Sequence, residues 1–489
     1  MRIERVPILA VCLGLVLLAL AVTAYRYYSG PEGRHRPPGQ YFVSRPDLSA
    51  PKIKLTEYQP PTGRAATAAT DPVFIAPKEG EPMTGPVILD ADDGEPIWIH
   101  PLHDDIRAFD FKVQRYQGKP VLTWFQGPDL ALGYGQGKYV LMDQSYRVIA
   151  TVNTKGSLAD HHGMTLTDDG TALMITYREV PYDLSDIGHG PEDGYLLNQV
   201  VQEVDVATGK VLFTWNALNH IPVKQTEIKV GPKLEIDGSE DNPLDFAHIN
   251  SVTEDSDGDL LISGRNTSAV YKVDRQTGHI EWTLGGKASD FTMAGNSEFV
   301  WQHDVHRQPD GTITLFDNEA APQVGPESRG LRLGLDMKSM TARVVTQYLP
   351  PEERVAASQG SVQVRRNGNV FVGWGKEPYF SEYTADGDLL YDARVIDAQS
   401  YRAHRQAWVG NPVEPPDIAI KKGKAYVSWN GATEVSAWRF MAGEDAASAQ
   451  EVSTVLSAGF ETSAEVPDAP YIAAQALDDE GHVLATAVY

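Results

Sequence analysis

Five times the chain repeats one short phrase, a polar turn closed by glycine and followed by a β-branched or apolar run. The phrases are "TDDGTALMI" (167–175), "DSDGDLLIS" (255–263), "QPDGTITLF" (308–316), "RRNGNVFVG" (365–373) and "DDEGHVLAT" (478–486). Each is a hairpin signal, because glycine supplies the positive φ that a tight turn between strands requires. A second turn type recurs in "LDADDGEPIWI" (89–99), "VDVATGKVLFTW" (204–215), "VDRQTGHIEWTL" (273–284) and "YTADGDLLYDA" (383–393). Alternating, the two types predict four-stranded meanders about 40 to 60 residues apart, the spacing of β-propeller blades. The fold class expected is therefore all-β.

Six complete units fall at 106–153, 160–217, 247–285, 302–348, 359–397 and 405–458. Two half-units remain, 85–102 with only the second turn and 469–489 with only the first. Joined, they make a further blade in which N- and C-terminal strands pair and close the ring without an open edge. The repeat count is then seven, with six as the alternative, and the propeller domain spans 71–489. Residues 219–244, rich in proline and charge, interrupt the series as a surface excursion.

The 489 residues carry a net charge of −24, which argues against nucleic acid as a partner, since phosphate binding needs a basic face. The single cysteine, Cys12, permits no intramolecular disulfide or thiolate metal cluster. It lies in "VPILAVCLGLVLLALAVTAY", 6–25, a run long enough for one transmembrane helix. Residues 1–28 are thus read as a membrane anchor or signal segment, and 29–70, rich in Pro and Gly, as a linker that holds the domain on the extracytoplasmic side. No P-loop, Gly-rich dinucleotide fingerprint or G-x-S-x-G elbow is present, so no cofactor is expected.

Several units begin with polar residues where an inner strand should start: "DHHGM" (160–164), "HIN" (248–250), "WQHDVH" (301–306) and "YRAHR" (401–405). Strand beginnings of different blades meet at one rim of a propeller's channel. His162, His248, Asn250, Arg265 and His303 would then face one another as imidazoles, an amide and a fixed positive charge, a set suited to a small anion. Taken singly, each has a plainer structural reading: a satisfied strand histidine, an arginine paired to a buried carboxylate, an asparagine capping a turn. Three histidines could also hold zinc, but none are at tight ligand spacing, and a nearby arginine would repel a cation; no metal is expected.

The phrases "DFAHINSV", "LLISGRNTSAVYKVDRQTGHIEWTLGG", "WQHDVHRQPDGTITLFDNEA", "SQGSVQVRRNGNVFVGWG" and "SYRAHRQAWVG" resemble the arylsulfotransferase (ASST-type) β-propeller family, in its membrane-anchored single-domain branch, over about 71–410. The resemblance implies an enzyme that moves a sulfuryl group from a phenolic sulfate ester to a phenol acceptor without the nucleotide donor PAPS, through a sulfohistidine. By motif, His303 matches the nucleophile, His248 and Asn250 the holders of the sulfuryl oxygens, Arg265 the positive clamp, and His162 the remaining site histidine. His162 or His248 would move the proton of the phenol. His404 stands where the family pattern has an aromatic residue. Two rival classes are a non-catalytic membrane-anchored propeller binding a protein or glycan on an apolar rim, and a quinoprotein-like dehydrogenase, whose calcium-carboxylate apparatus is missing.

Overall fold

The computed structural model describes residues 39–57, 70–80, 83–128 and 133–489. The apolar segment 6–25 lies outside these, and among the described residues no helix is long and apolar enough to cross a membrane.

The hairpin phrases fold as their chemistry dictates. Gly170, Gly258, Gly311 and Gly368 take φ of +77°, +91°, +85° and +87°, and each donates its N–H to the carbonyl three residues back. The strands they join are antiparallel and belong to four of six sheets that follow one another along the chain. Sheet I starts from Ile106–Tyr116, sheet II from Thr165–Leu166, sheet III from Ile249–Glu254, sheet IV from His303–Arg307, sheet V from Ser361–Val364 and sheet VI from Ala398–Arg405. These starting strands carry many of the contacts between sheets, and the contacts run I to II to III to IV to V to VI and back to I, a closed propeller-like cycle. Their N-terminal ends converge on one side of its centre.

Each junction has its own apolar filling. Ile175 and Val201 of sheet II meet Ile249 and Ile262 of sheet III, Val270 and Trp282 of sheet III meet Val305 and Leu331 of sheet IV, and Phe74 and Trp98 of sheet VI meet Trp124 and Val140 of sheet I. Burial of each such side chain stabilises the packing by about 1.5–3 kcal/mol.

Ring closure differs from the expectation. The strand Ala398–Arg405 pairs with Val73–Gly80, which continues through Val87–Leu89 to Pro96–Ile99. Residues 469–489 take no part in this sheet, so the cycle holds six sheets and not seven. The segment 405–458 is not a blade either. Lys424–Ser428 lies between Asp417–Lys421 and Glu461–Glu465, while Ala437–Gly443 lies between Gln450–Leu456 and Tyr471–Leu477, with Val483–Val488 at the edge. These two sheets share a core of Val427, Trp438, Phe440 and Ile472. The physical reason for the misreading is local: Gly481, at φ +85°, makes the same turn as the ring's hairpins, and turn chemistry does not record which sheet a hairpin joins.

Part of the expected linker is folded. Ile53–Glu57 adds a fifth strand to sheet V by pairing with Leu389–Val395, and its alternating exposure is that of an edge strand. The excursion at 219–244 buries Ile221, Val223 and Val230 against sheets II and III.

Candidate functional site

The converging strand ends enclose a cavity of about 260 Å³ lined by Lys78, Phe109, Gly133, His161, His162, His248, Arg265, His303, Ser358, Gln359 and Tyr401. Four of the five residues singled out from the sequence, His162, His248, Arg265 and His303, share this wall.

His303 opens the first strand of sheet IV and is buried. Its Nδ1 lies 2.7 Å from Asn318 Oδ1. The orientation of that amide is fixed on its other side, where Nδ2 donates to the carbonyls of Ala356 (2.9 Å) and Gln359 (3.0 Å). The oxygen must therefore face His303, and Nδ1 must carry the hydrogen. The lone pair is left on Nε2, which receives the Gln359 N–H at 3.2 Å. Burial, then the charge of Arg265, holds the His303 imidazolium well below its usual range, so the ring is neutral.

Arg265 begins a single 3-10 turn after Leu260–Gly264. Its guanidinium donates to Asn266 Oδ1 (2.8 Å) and to the carbonyl of Ala357 (3.2 Å), and it lies 5.2 Å over the Trp301 ring. Both hydrogen-bond partners are neutral, and of the charged groups nearby it is the Asp245 carboxylate that favours the guanidinium.

His162 and His248 form a pair, with their Nε2 atoms 3.1 Å apart. Each Nδ1 faces a carboxylate, that of His162 being 2.6 Å from Asp160 Oδ2 and that of His248 against Asp245 Oδ2. His248 adopts φ +49°, a left-handed backbone that few non-glycine residues take. Both Nδ1 atoms being donors to carboxylates, the contact between the two Nε2 atoms holds together only with a proton between them. Burial, followed by the nearby His248, Arg402 and Arg265, pushes the imidazolium of His162 well below its usual range.

Asn250 is the exception. It is buried, its Nδ2 donates 2.7 Å to the carbonyl of Gln302, and its own carbonyl accepts from Arg402 at 3.2 Å; it does not line the cavity. Asn250 ties sheet III to its neighbours, and its buried side-chain Oδ1 has no partner in the protein. His404, in the position of the missing aromatic, lies below, with Nε2 3.7 Å from Asp110 Oδ1.

Sequence reasoning missed Asn318, Lys78, Phe109, Gln359 and Tyr401. A signal existed for Asn318, which stands two residues beyond Phe316, the partner of His303 in the neighbouring strand. Lys78 was visible only as a cation ending the apolar "VFIAP".

A metal has one candidate donor set here, Asp160, His161 and His162, whose ligand atoms lie within 4.8 Å of one another. The Asp160 oxygens already accept from the N–H groups of Gly135 and His162 and from His162 Nδ1, so the group serves as a hydrogen-bond network.

A family model described as arylsulfotransferase (ASST) matches residues 112–395. A search of curated proteins finds no match. Similar solved structures include a protein of unknown function from Bacteroides caccae, 12% identical, covering 68% of this chain and 98% of that one at a TM-score of 0.39. A catalytically inactive virginiamycin B lyase from Staphylococcus aureus is 10% identical, covering 78% and 97% at a TM-score of 0.35. A protein of unknown function from Dyadobacter fermentans is 12% identical, covering 68% and 93% at a TM-score of 0.39. At those scores the likenesses carry no argument about chemistry.

Proposed function

Since the chain belongs to the arylsulfotransferase (ASST) family, we propose that its cavity moves a sulfuryl group from a phenolic sulfate ester to a phenol, with His303 as covalent carrier. The observation that carries this reading is the amide of Asn318, which leaves a neutral Nε2 lone pair on His303 beside Arg265.

Once released from the Gln359 N–H that it accepts here, the Nε2 lone pair attacks sulfur as the bond from sulfur to the aryl oxygen breaks, giving N-sulfohistidine and a phenolate. The phenolate takes the proton shared by His248 and His162. In the second half a phenol returns a proton to this pair, its oxygen attacks sulfur, and the bond from nitrogen to sulfur breaks. Asp245 and Asp160 hold the two rings and offset their charge while it is present. Arg265 draws the sulfuryl oxygens and stabilises the charge that builds on them in a water-poor cavity.

The membrane attachment through 6–25, with the ring on the extracytoplasmic side, belongs to the same proposal. The test uses 4-nitrophenyl sulfate and a phenol acceptor. Nitrophenolate release and a mass gain of one sulfuryl group, discharged by acceptor and absent in His303→Ala, are expected. If wild-type protein gains no mass and releases no nitrophenolate from any aryl sulfate, the sulfotransferase reading fails.

A further inference from the structure

Two turns of the ring carry four carboxylates each, and the fold treats them differently. Around 254–259, Lys272 pairs with Asp257, Arg275 with Glu254 and Arg307 with Asp255. Around 90–95, in the hairpin from Val87–Leu89 to Pro96–Ile99 of sheet VI, Asp90, Asp92, Asp93 and Glu95 form no ion pair with any described residue. Asp90 and Asp93 each accept one turn N–H at 2.8 Å, from Asp92 and Glu95. Burial, then the charge of Asp93, raises the Glu95 carboxyl above its usual range.

These carboxylates edge a cavity of about 570 Å³ between sheet VI and the C-terminal sheets. Trp408, Trp429, Trp438 and Phe460 line it with them, and no lysine, arginine or histidine does. The junction is pinned in place: the Asn430 amide exchanges two hydrogen bonds with the backbone of Ile99, at 2.8 and 2.9 Å, and the N–H of Gly431 donates to the carbonyl of Ile97 at 2.8 Å. Two of the indoles have partners, Trp408 the hydroxyl of Tyr146 and Trp429 the carbonyl of Glu414. Trp438 does not. It is 3% exposed, and its indole N–H donates to no described residue yet is not sealed in as that of Trp301 is, so this donor opens on the cavity.

The geometry points to a binding site for a small organic cation of the amino-alcohol class, an alkylated ammonium that carries a hydroxyl. Aromatic faces attract a desolvated alkylammonium, the unpaired carboxylates offset its charge, and its hydroxyl oxygen accepts from the Trp438 N–H. Carboxylates alone would take any cation; the aromatic lining and the single open donor select an alkylated one with an oxygen. Junctions between folded units are common places for such small-molecule sites. The cavity shares no lining residue with the one around His303, so this site stands or falls apart from sulfuryl transfer.

The test is titration calorimetry of the full chain, at fixed ionic strength, with choline, its neutral isostere 3,3-dimethylbutan-1-ol, and ethyltrimethylammonium, which lacks the hydroxyl. Choline is expected to bind about tenfold or more tighter than the neutral alcohol, and severalfold tighter than ethyltrimethylammonium, the span of one hydrogen bond. Trp429→Leu and Glu95→Gln should each weaken choline by about fivefold or more, and Trp438→Phe should erase its margin over ethyltrimethylammonium. Glycerophosphocholine should bind more weakly than choline, because its phosphate meets the same carboxylates; the reverse order would hand the site to a lipid headgroup and overturn the amino-alcohol class. No heat with choline, equal binding of choline and the neutral alcohol, or choline binding unchanged in both Trp429→Leu and Glu95→Gln overturns the site itself.

Discussion

An amide decides which nitrogen of His303 can react. Replacing Asn318 by leucine removes the acceptor that fixes the hydrogen on Nδ1, and the ring is then free to place it on Nε2, the attacking atom. Loss of such an orienting group should lower single-turnover nitrophenolate release by about 10²-fold or more; a change within threefold would mean that the tautomer is set elsewhere. Arg265 acts on the same ring through its charge, which disfavours the imidazolium. Protonated His303 cannot attack, so activity falls as pH drops through its pKa, and in Arg265→Met that acid limb should move to higher pH. A limb that stays in place in the pH–rate profile would remove Arg265 from the electrostatics of the nucleophile. His162, His248 and His303 could be picked out of the sequence because each breaks the expected pattern of a strand beginning, and Arg265 because it is a lone cation directly after the apolar strand Leu260–Gly264. Asn318 was marked only by standing two residues beyond Phe316, the partner of His303, and Tyr401 not at all, because its importance comes from what other sheets place against it. Asn250 sits in the same pattern, and the fold shows its Nδ2 on the carbonyl of Gln302, a contact the sequence does not announce.

At the scale of elements, one guanidinium ties the site together from below. Arg402, on the first strand of sheet VI, bonds Asp110 of sheet I at 2.8 Å, Asp304 of sheet IV at 3.4 Å, the carbonyl of His162 ahead of sheet II at 3.2 Å and that of Asn250 in sheet III at 3.2 Å. Its neighbour Gly163 has no room for a side chain, since a Cβ there would stand 3.0 Å from Nη1 of Arg402. Arg402→Met takes the shared guanidinium from two buried carboxylates that keep Lys112 (2.7 Å from Asp110) and His306 (3.0 Å from Asp304), and strips two buried carbonyls of their donor, so it should destabilise the protein by about 1–3 kcal/mol in urea unfolding; no measurable loss would show that the sheets hold their places without it. The individual hairpins of sheets II to V were legible, because glycine and aspartate mark them locally. The closing sheet was not, since its first strand and the other three come from distant parts of the chain, and the C-terminal hairpins carry the same turn residues as the ring.

For the whole molecule, four imidazoles, His161, His162, His303 and His404, are buried with protonation disfavoured chiefly by desolvation. In the unfolded chain each takes up a proton near the ordinary value of about 6.5, whereas in the folded chain it does so only at lower pH. These four rings make the unfolded state bind more protons below about pH 6.5 and outnumber the two buried carboxyls of Asp317 and Asp160, raised by burial, that act in the opposite sense, so stability falls as pH falls from there. Melting temperatures should decline between pH 7 and 5, before the depressed carboxyls Asp110 and Asp304 lose charge; a flat profile over that interval would contradict the burial of these rings.

The way sheet VI is assembled also sets a timetable. Val73–Gly80 is made early, but its partner Ala398–Arg405 follows only after roughly 300 more residues. At about 5–20 residues per second, the early strand waits some 15 to 60 s on the ribosome with its pairing edge open. Lys78 and Tyr401 meet only when that wait ends, so the cavity cannot form on a nascent chain before its last wall is synthesised.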